Sequence, residues 1–321
     1  MPVDDDYSPA GLLQKKHYGK DVEDAISGTE IDAPFKGLVY EGDVQISTRL
    51  PDGTRQIWLP PRISKGKTLG GGVSGLVELL PDGNVVKSPW GGEEEADCRK
   101  DLKQEADIYN QLHNAFGEHH RFVRFISFDE KESELILQYM SNGTLREYLK
   151  DHGGDITRSQ RLRWVSSAAE GLDMLHSLEI IHCDFSPKNF LLDAALDLKV
   201  ADFGCSAYVG RQTSGCGSCR FYPPKDWKRR PMPLPTLDDD LFALGSSIYH
   251  IMTGHRPFDD IPSDHVPRLV GLRQLPDLCG VDMGDIIRDC WLLKAESAHD
   301  VRQSVEICIS GDINEARESG H

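Results

Sequence analysis

The chain has 321 residues, 39% hydrophobic and 27% charged, which is an ordinary globular composition with room for a sizeable core and a modest extension. Its formal net charge of −16 argues against a nucleic-acid partner and suggests basic partners or simple solubility. With no signal-peptide pattern and no apolar run of about 18 residues, we expect no membrane association and an intracellular protein, cytoplasmic or nuclear, whose eight cysteines are reduced.

The N-terminal part divides into two segments. Residues 1–36 mix acidic and small polar side chains without sustained periodicity, which predicts a flexible arm. Residues 37–62 contain two short strand-like stretches on either side of Pro51-Asp52-Gly53, which predict a β-hairpin against or just before the next sheet. Pro60-Pro61 marks the entry to a larger domain, predicted at 63–310 and followed by a tail at 311–321.

A glycine-rich stretch opens the larger domain. Residues 69–77 match Gly-x-Gly-x-x-Gly-x-Val, and positions without side chains let backbone N–H groups approach phosphates closely. A strand, a Pro81-Asp82-Gly83 turn and a second strand ending at Lys87 follow. A dinucleotide-binding fold would need a helix directly after the glycines, so this context disfavours it.

A helix is predicted next, over Glu93–His113, because acidic residues suit its positive end. Its predicted inner face carries Leu102, Glu105, Tyr109 and Leu112. Strands at 122–128 and 134–140 follow, then a helix near 142–149. A long helix is indicated by the stripe Leu162, Val165, Ala169, Leu172 and His176.

Two polar motifs carry the most specific chemistry. Residues 181–189 read Ile-His-Cys-Asp-Phe-Ser-Pro-Lys-Asn, and residues 200–204 read Val-Ala-Asp-Phe-Gly. In this pattern Asp184 can orient a hydroxyl while Asp202 and Asn189 hold a metal ion. The two motifs together predict phosphoryl transfer.

The ordered series of motifs resembles the eukaryotic protein kinases from about Ile63 to Cys308. Asp240, at the start of a later helix, and Cys290-Trp291 extend the resemblance, with wording close to tyrosine-kinase-like kinases and to a divergent group in filamentous fungi. The resemblance implies an α+β fold of two lobes, with ATP between them and Mg²⁺ as cofactor. The N-lobe (63–140) would be small and β-rich with one main helix, and the C-lobe (141–310) larger and mainly helical.

The resemblance also assigns roles to residues. Asp184 and Lys188 would act in catalysis, and Lys87 would contact phosphate while paired with Glu105, eighteen positions later. Leu137 would be the gatekeeper, and Gln138 to Met140 the hinge that meets adenine. The implied ATP-binding set is Leu69, Gly70, Gly72, Gly75, Val77, Val85, Lys87, Leu137, Gln138, Met140 and Leu191.

Two departures from the family affect stability and regulation. Cys183 replaces the arginine that usually precedes the catalytic aspartate, so we expect basal activity without activation-loop phosphorylation. Pro223-Pro224-Lys225 replaces Ala-Pro-Glu, and Ala298 occupies the place of its arginine partner. Because losing both members of an ion pair can be nearly neutral, a differently stabilised C-lobe is expected.

The acceptor residue is less strongly indicated. Ser186 replaces a lysine of Ser/Thr kinases and Lys188 lies where tyrosine kinases carry arginine, whereas Gly217-Ser218 matches a Ser/Thr-kinase pair that contacts the catalytic aspartate. We favour Ser/Thr specificity. The alternatives are an ATP-binding pseudokinase scaffold, suggested by the two departures, and a small-molecule phosphotransferase, which the glycine loop and Asp-Phe-Gly disfavour.

Other metal-like patterns have simpler interpretations. Cys216 and Cys219 could be two zinc ligands, but no second pair stands nearby, so reduced thiols are favoured. His119-His120 is expected to be structural.

Overall fold

The computed structural model describes residues 48–49, 55–56, 64–72, 74–92, 94–215, 217–225 and 233–318. Both the predicted N-terminal arm and Cys216 lie outside these ranges. The chain divides into two compact units, one of residues 1–111 with 124–139 and one of residues 112–123 with 140–321.

The first unit is built on antiparallel strands. Two short strands, β1 (Thr48–Arg49) and β2 (Arg55–Gln56), pair as the predicted hairpin requires. A five-stranded sheet in the order β3-β4-β5-β7-β6 follows. Its strands are β3 (Lys67–Gly72), β4 (Gly75–Leu79), β5 (Asn84–Ser88), β6 (Phe125–Asp129) and β7 (Glu134–Gln138).

The turn between β4 and β5 follows from its residues. Asp82 Oδ1 accepts a hydrogen bond from Asn84 N at 2.9 Å, and Gly83 adopts φ 88°, a left-handed conformation that favours glycine. The Pro-Asp-Gly sequence therefore closes this hairpin as predicted.

One main helix, α1 (Glu95–Phe116), accompanies the sheet, although its last residues belong to the second unit. It begins two residues later than predicted and ends three residues later. Leu102 and Ile108 are fully buried, and Tyr109 stacks on Phe125 with ring centroids 5.9 Å apart. Leu102 and Tyr109 of the predicted face thus pack within the first unit, whereas Leu112 belongs to the second.

The second unit is mainly helical. Its helices are α2 (Leu145–His152), α3 (Arg158–Ser177), α4 (Leu237–Thr253), α5 (Val266–Gly271), α6 (Gly284–Trp291) and α7 (Ala298–Glu318). Two small antiparallel sheets lie among them, one of β8 (Ile180–Ile181) with β11 (Ala207–Tyr208), the other of β9 (Phe190–Leu192) with β10 (Leu198–Val200). The domain end predicted at 310 falls inside α7.

Helix α4 forms the centre of this unit. Most of its residues are buried, as expected for a helix that is apolar on nearly every side. Thr236 and Asp239 form a capping box at its first turn, and Gly254 ends it in a left-handed conformation.

The fold is α+β, with a small β-rich unit and a larger, mainly helical one, as predicted. No described helix combines the length and apolar character needed to cross a bilayer.

Candidate active site

One buried carboxylate holds the loop that follows β8. Asp240 Oδ2 accepts a hydrogen bond from His182 N at 2.6 Å, and Asp240 Oδ1 accepts one from Cys183 N at 3.0 Å. His176 Nε2, near the end of α3, lies 3.2 Å from Asp240 Oδ2. Since a carboxylate satisfies two backbone N–H groups here, the loop keeps a defined position relative to α3 and α4.

His182 joins this loop to the segment before Asp202. The imidazole is fully buried, with ring centroids 5.5 Å from Phe185 and 5.4 Å from Phe203. Its Nδ1 accepts from Asp184 N at 3.3 Å, and its Nε2 lies 3.2 Å from Ala201 O. A proton on Nε2 satisfies both contacts, so the ring bridges two backbone segments.

Asp184 has two carboxylate oxygens in different environments. Its Oδ2 lies 2.9 Å from Lys188 Nζ, whereas the buried Oδ1 has no hydrogen-bond partner among the described residues. A Cβ at Gly217 would come within 2.7 Å of Oδ1, so glycine is required for this approach. A buried acceptor without a partner is costly, and such atoms are typical of functional sites.

Asn189 and Asp202 are placed by the β9–β10 hairpin. Asn189 Nδ2 donates to Asp184 O at 2.8 Å, which leaves the amide oxygen as the available end of the side chain. Ala201 N donates to Asn189 O at 3.0 Å, and Asp202 is the next residue in the chain. This hydrogen bond therefore ties the backbone just before Asp202 to Asn189. Asp202 has φ 65°, a strained conformation for a non-glycine residue and one that is frequent at functional sites.

A carboxylate and an amide oxygen suit a hard divalent cation such as Mg²⁺. The described residues include no group of three or more His, Cys, Asp or Glu side chains that could hold a metal ion.

In the first unit, Lys87 and Glu105 form a buried ion pair. Lys87 Nζ donates to Glu105 Oε2 at 2.8 Å, and the two residues are only 5% and 0% exposed. Strand β5 supplies the lysine and helix α1 the glutamate. The predicted pair is thus formed, and it holds the ammonium group in a fixed place.

The register of the sheet places the predicted adenine-contacting residues beside Lys87. Val77 pairs with Lys87, and Val85 pairs with Leu137. Cross-strand partners share a face, as do residues two apart on one strand such as Val85 and Lys87. Strand pairing therefore brings the three apolar side chains and the ammonium group to one face of the sheet.

The glycines of the first hairpin differ in their surroundings. A Cβ at Gly75 would lie 2.2 Å from Ser88 O, and one at Gly71 would lie 2.6 Å from Trp90 Cζ2. At Gly70 a Cβ would meet nothing within 4 Å. Gly75 is therefore required by backbone packing, whereas Gly70 leaves open space for a ligand.

The remaining predicted ATP-binding residues have varied exposure. In the first unit, Leu69 is 38% exposed, and Gln138 is exposed while its N donates to Arg124 O at 3.0 Å. In the second unit Met140 is buried and Leu191, on β9, is half-buried. Gly72 pairs with Gly75 at the tip of the first hairpin.

A family model described as "Protein kinase domain" matches residues 64–289. The chain belongs to this family. The predicted resemblance is confirmed.

The kinase is also similar to curated proteins from distant organisms. It is 27% identical to the Drosophila melanogaster epidermal growth factor receptor over 252 residues, 73% of this chain and 17% of the receptor. It is 29% identical to the "RGS domain-containing serine/threonine-protein kinase A" of Dictyostelium discoideum over 172 residues, 52% of this chain and 15% of that protein. The "Probable leucine-rich repeat receptor-like protein kinase" of Arabidopsis thaliana is 30% identical over 210 residues, 61% of this chain and 21% of that protein. The kinase thus spans about a fifth or less of the length of these relatives.

Trp90 supports the glycine-rich hairpin, a contact that the sequence motifs did not predict. Its indole Nε1 donates to Gly72 O at 2.8 Å, and its ring lies against Gly71. A half-buried indole N–H usually finds an acceptor, but the sequence does not show which one. The hairpin conformation therefore depends on a residue eighteen positions away.

Lys225, which stands where the family has the glutamate of Ala-Pro-Glu, forms a different ion pair. Its Nζ pairs with Asp239 Oδ2, which also accepts from Tyr222 OH at 3.0 Å and from Thr236 N at 2.8 Å. Ala298 is buried at the start of α7. An aspartate in the first turn of α4 is therefore the partner of Lys225, and the expected alternative stabilisation of the C-lobe stays a prediction.

The predicted contact of Gly217-Ser218 with Asp184 is made by glycine. Gly217 N donates to Cys183 O at 2.7 Å, whereas Ser218 Oγ accepts from Arg220 N at 3.5 Å. The hydroxyl that supported Ser/Thr specificity is thus used within its own loop.

Of the predicted cysteine and histidine pairs, Cys219, His119 and His120 lie in the described part of the chain. Cys219 is a free thiol whose Sγ lies 3.2 Å from Ser263 O, and its predicted neighbour Cys216 is outside the described residues. His119 and His120 stack with centroids 4.5 Å apart. Burial lowers the pKa of His119 from its ordinary value, which favours the neutral ring.

Proposed function

We propose that this protein is a protein kinase that uses ATP and Mg²⁺ to phosphorylate protein hydroxyl groups, preferably of serine or threonine. The observation that carries the proposal is Asp184, whose buried Oδ1 has no partner in the described part of the chain while Oδ2 is held by Lys188. A fixed carboxylate with one free oxygen can accept a hydrogen bond from an incoming hydroxyl.

Asp184 and Lys188 have complementary roles in this proposal. The hydroxyl of the acceptor residue donates to Asp184 Oδ1, which orients its oxygen for attack on the γ-phosphorus. Lys188 Nζ, 2.9 Å from Asp184 Oδ2, adds positive charge next to the position where phosphoryl oxygens arrive. Asp240 contributes indirectly, since it holds the backbone on which Asp184 stands.

Lys87 is proposed to contact the ATP phosphates. Its ion pair with Glu105 keeps the long lysine side chain extended in one position, so less conformational entropy is lost when ATP binds. Val77, Val85 and Leu137 would supply apolar contacts for adenine on the same face of the sheet. All of these residues belong to the first unit.

Asn189 and Asp202 would hold the magnesium ion. When bound, Mg²⁺ would supply positive charge that offsets the negative charge of the phosphates. The Asn189 amide nitrogen donates to Asp184 O, which would leave the amide oxygen available to the ion. The same hydrogen bond keeps the metal-binding amide next to the residue that orients the hydroxyl.

Serine or threonine specificity is supported by the close approach of Gly217 to Asp184. One similar protein is named a serine/threonine-protein kinase and another is named as the epidermal growth factor receptor. A library of peptides that differ only in Ser, Thr or Tyr at the acceptor position, assayed with radiolabelled ATP, tests this choice. Preferential labelling of the tyrosine series would refute it.

The replacement of Asp184 by asparagine tests the chemistry. Asp184→Asn should lower kcat by about 10²–10⁴-fold, because a positioned base is lost while the groups that contact ATP remain. Asp264→Asn, at an exposed aspartate, is the matched control and should keep the wild-type rate. Magnesium-dependent ATP binding by both variants without phosphotransfer by the wild type would favour the pseudokinase scaffold.

A further inference from the structure

Thr213 is surrounded by hydrogen-bond acceptors in the segment that follows Asp202. Its Oγ1 contacts Cys205 O, lies 2.5 Å from Gly215 O and accepts from Gly215 N at 3.1 Å. Cys205 in turn packs against a buried cluster that includes Ile181 and Cys183. The single hydroxyl proton therefore lies between the carbonyl oxygens of Cys205 and Gly215, and the first of these residues rests on the Cys183 loop.

Two further hydrogen bonds fasten the turn that contains Thr213. Ser214 Oγ donates to Gly204 O at 3.2 Å, and Gly217 N donates to Cys183 O at 2.7 Å. Gly204 belongs to the segment that carries the proposed metal ligand. Cys183 belongs to the loop that carries the proposed catalytic residue. Ser214 and Gly217 therefore connect the two loops on which the proposed phosphoryl transfer depends.

We propose that Thr213 is a positioning residue whose neutral hydroxyl holds the segment after Asp202 against the Cys183 loop and keeps the site assembled without phosphorylation. The proposal rests on the proposed kinase function, because the effect of positioning is measured through phosphoryl transfer. It assigns to a neutral hydroxyl the work that a phosphate and an arginine would otherwise share.

The surroundings of Thr213 favour a neutral group. Arg220 is buried and donates to Pro257 O at 3.1 Å, to Ile261 O at 2.5 Å and also to Phe258 O, so its guanidinium is already committed. The side chain of Arg211 is exposed.

A phosphate on Thr213 would therefore meet the carbonyl oxygens of Cys205 and Gly215. Negative charge at residue 213 should release the segment instead of ordering it.

Kinetics of Thr213 variants test the proposal. Thr213→Val should lower kcat at least 10-fold with little change in KM for ATP, because a misplaced catalytic group costs rate more than binding. Thr213→Ser, which keeps the hydroxyl, should restore kcat to within about threefold. Thr213→Glu should be at least as impaired as Thr213→Val, and phosphatase treatment should leave the wild-type rate unchanged.

Thr253 provides a matched control. Its Oγ1 donates to Tyr249 O at 2.7 Å, lies 3.1 Å from His255 O and accepts from His255 N at 3.1 Å, at the end of α4. Thr253→Val therefore removes the same kind of hydroxyl from another turn, and its kcat should stay within about twofold of wild type.

Hydrogen exchange tests the contact without relying on activity. Amides of residues 203–217 should exchange at least 10-fold faster in Thr213→Val than in Thr213→Ser, with Thr213→Ala as a second variant if valine prevents folding. If the wild-type protein transfers no phosphate, the proposed kinase function is refuted. The exchange rates of the valine and serine variants still test whether the Thr213 hydroxyl holds the segment. Equal exchange in the serine and valine variants, or a rate increase in Thr213→Glu, would overturn the proposal.

Discussion

The ion pair between Lys225 and Asp239 offers a quantitative test of how the second unit is stabilised. The side chain of Asp239 is 2% exposed and that of Lys225 16% exposed. Asp239→Asn keeps the shape but leaves the ammonium group without its carboxylate. Removing one member of a buried pair typically costs about 3–5 kcal/mol, and the partial exposure of Lys225 places the expected loss near the lower limit.

The reverse substitution and the double variant isolate the interaction. Lys225→Met should also cost about 3 kcal/mol, because Asp239 then keeps only neutral donors from Tyr222 and Thr236. In the double variant no charge is left unpaired, so the total loss should be smaller than the sum by about 2–3 kcal/mol. Tyr222→Phe, which removes one hydrogen bond to a charged acceptor, should cost only about 1.5–3 kcal/mol.

The measurement is the free energy of unfolding from urea titrations followed by circular dichroism for the wild type, both single variants and the double variant. Additivity within about 0.5 kcal/mol would mean that the two side chains do not interact, and it would refute this account.

Three other substitutions test separate parts of the structure. Lys87→Met should lower the unfolding free energy by about 3–5 kcal/mol in urea titrations, since it leaves the Glu105 carboxylate buried and deprived of the ammonium. Gly75→Ala should cost about 1–3 kcal/mol in the same assay, because its Cβ would meet Ser88 O. Burial lowers the pKa of His250 to about 3, so the unfolded chain binds a proton at a higher pH than the folded protein does. The unfolding free energy should therefore fall as pH falls from about 6.5 towards about 3. His250→Gln should flatten the pH dependence of stability in that range.

Each of these substitutions has a matched control. Lys87→Met with Glu105→Gln should regain most of the stability lost in the lysine variant, because the buried charge is removed as well. Gly70→Ala should leave stability within about 1 kcal/mol of wild type, because its Cβ would meet nothing. His113→Gln, at an exposed histidine, is the matched control for His250→Gln. The slope of unfolding free energy against pH should differ between His250→Gln and the wild type by at most about 1.4 kcal/mol per pH unit. An unchanged slope would contradict burial of His250 as the cause of the pH dependence.

Local sequence rules predicted much of the first unit. The Pro81-Asp82-Gly83 turn, the strands on either side of it and the acidic start of α1 depend on residues close together in the chain. The ends of α1 were less accurate, since Glu95 instead of Glu93 begins the helix. Helix ends depend on capping and packing contacts that periodicity does not contain.

The proposed site residues were also available from the sequence, because their chemical types occur at motif spacings. Lys87 and Glu105 pair as predicted, and Asp240 binds the backbone of the loop after β8. Ser218 shows the limit of this reasoning, since its hydroxyl bonds within its own loop instead of contacting Asp184. A motif specifies which groups are present, but the direction of a short side chain depends on the local backbone.

By itself, therefore, the sequence determined the order of the elements, the α+β class and the set of residues proposed for phosphoryl transfer, because these follow from short-range periodicity and spacing. Only the tertiary structure decided that Trp90 supports the glycine hairpin, that Lys225 pairs with Asp239 and that the Thr213 hydroxyl bonds Cys205 O. Each of these contacts satisfies a buried or half-buried polar group with a partner outside its own motif. Such partners are selected by long-range packing, which brings donor and acceptor together irrespective of their distance along the chain.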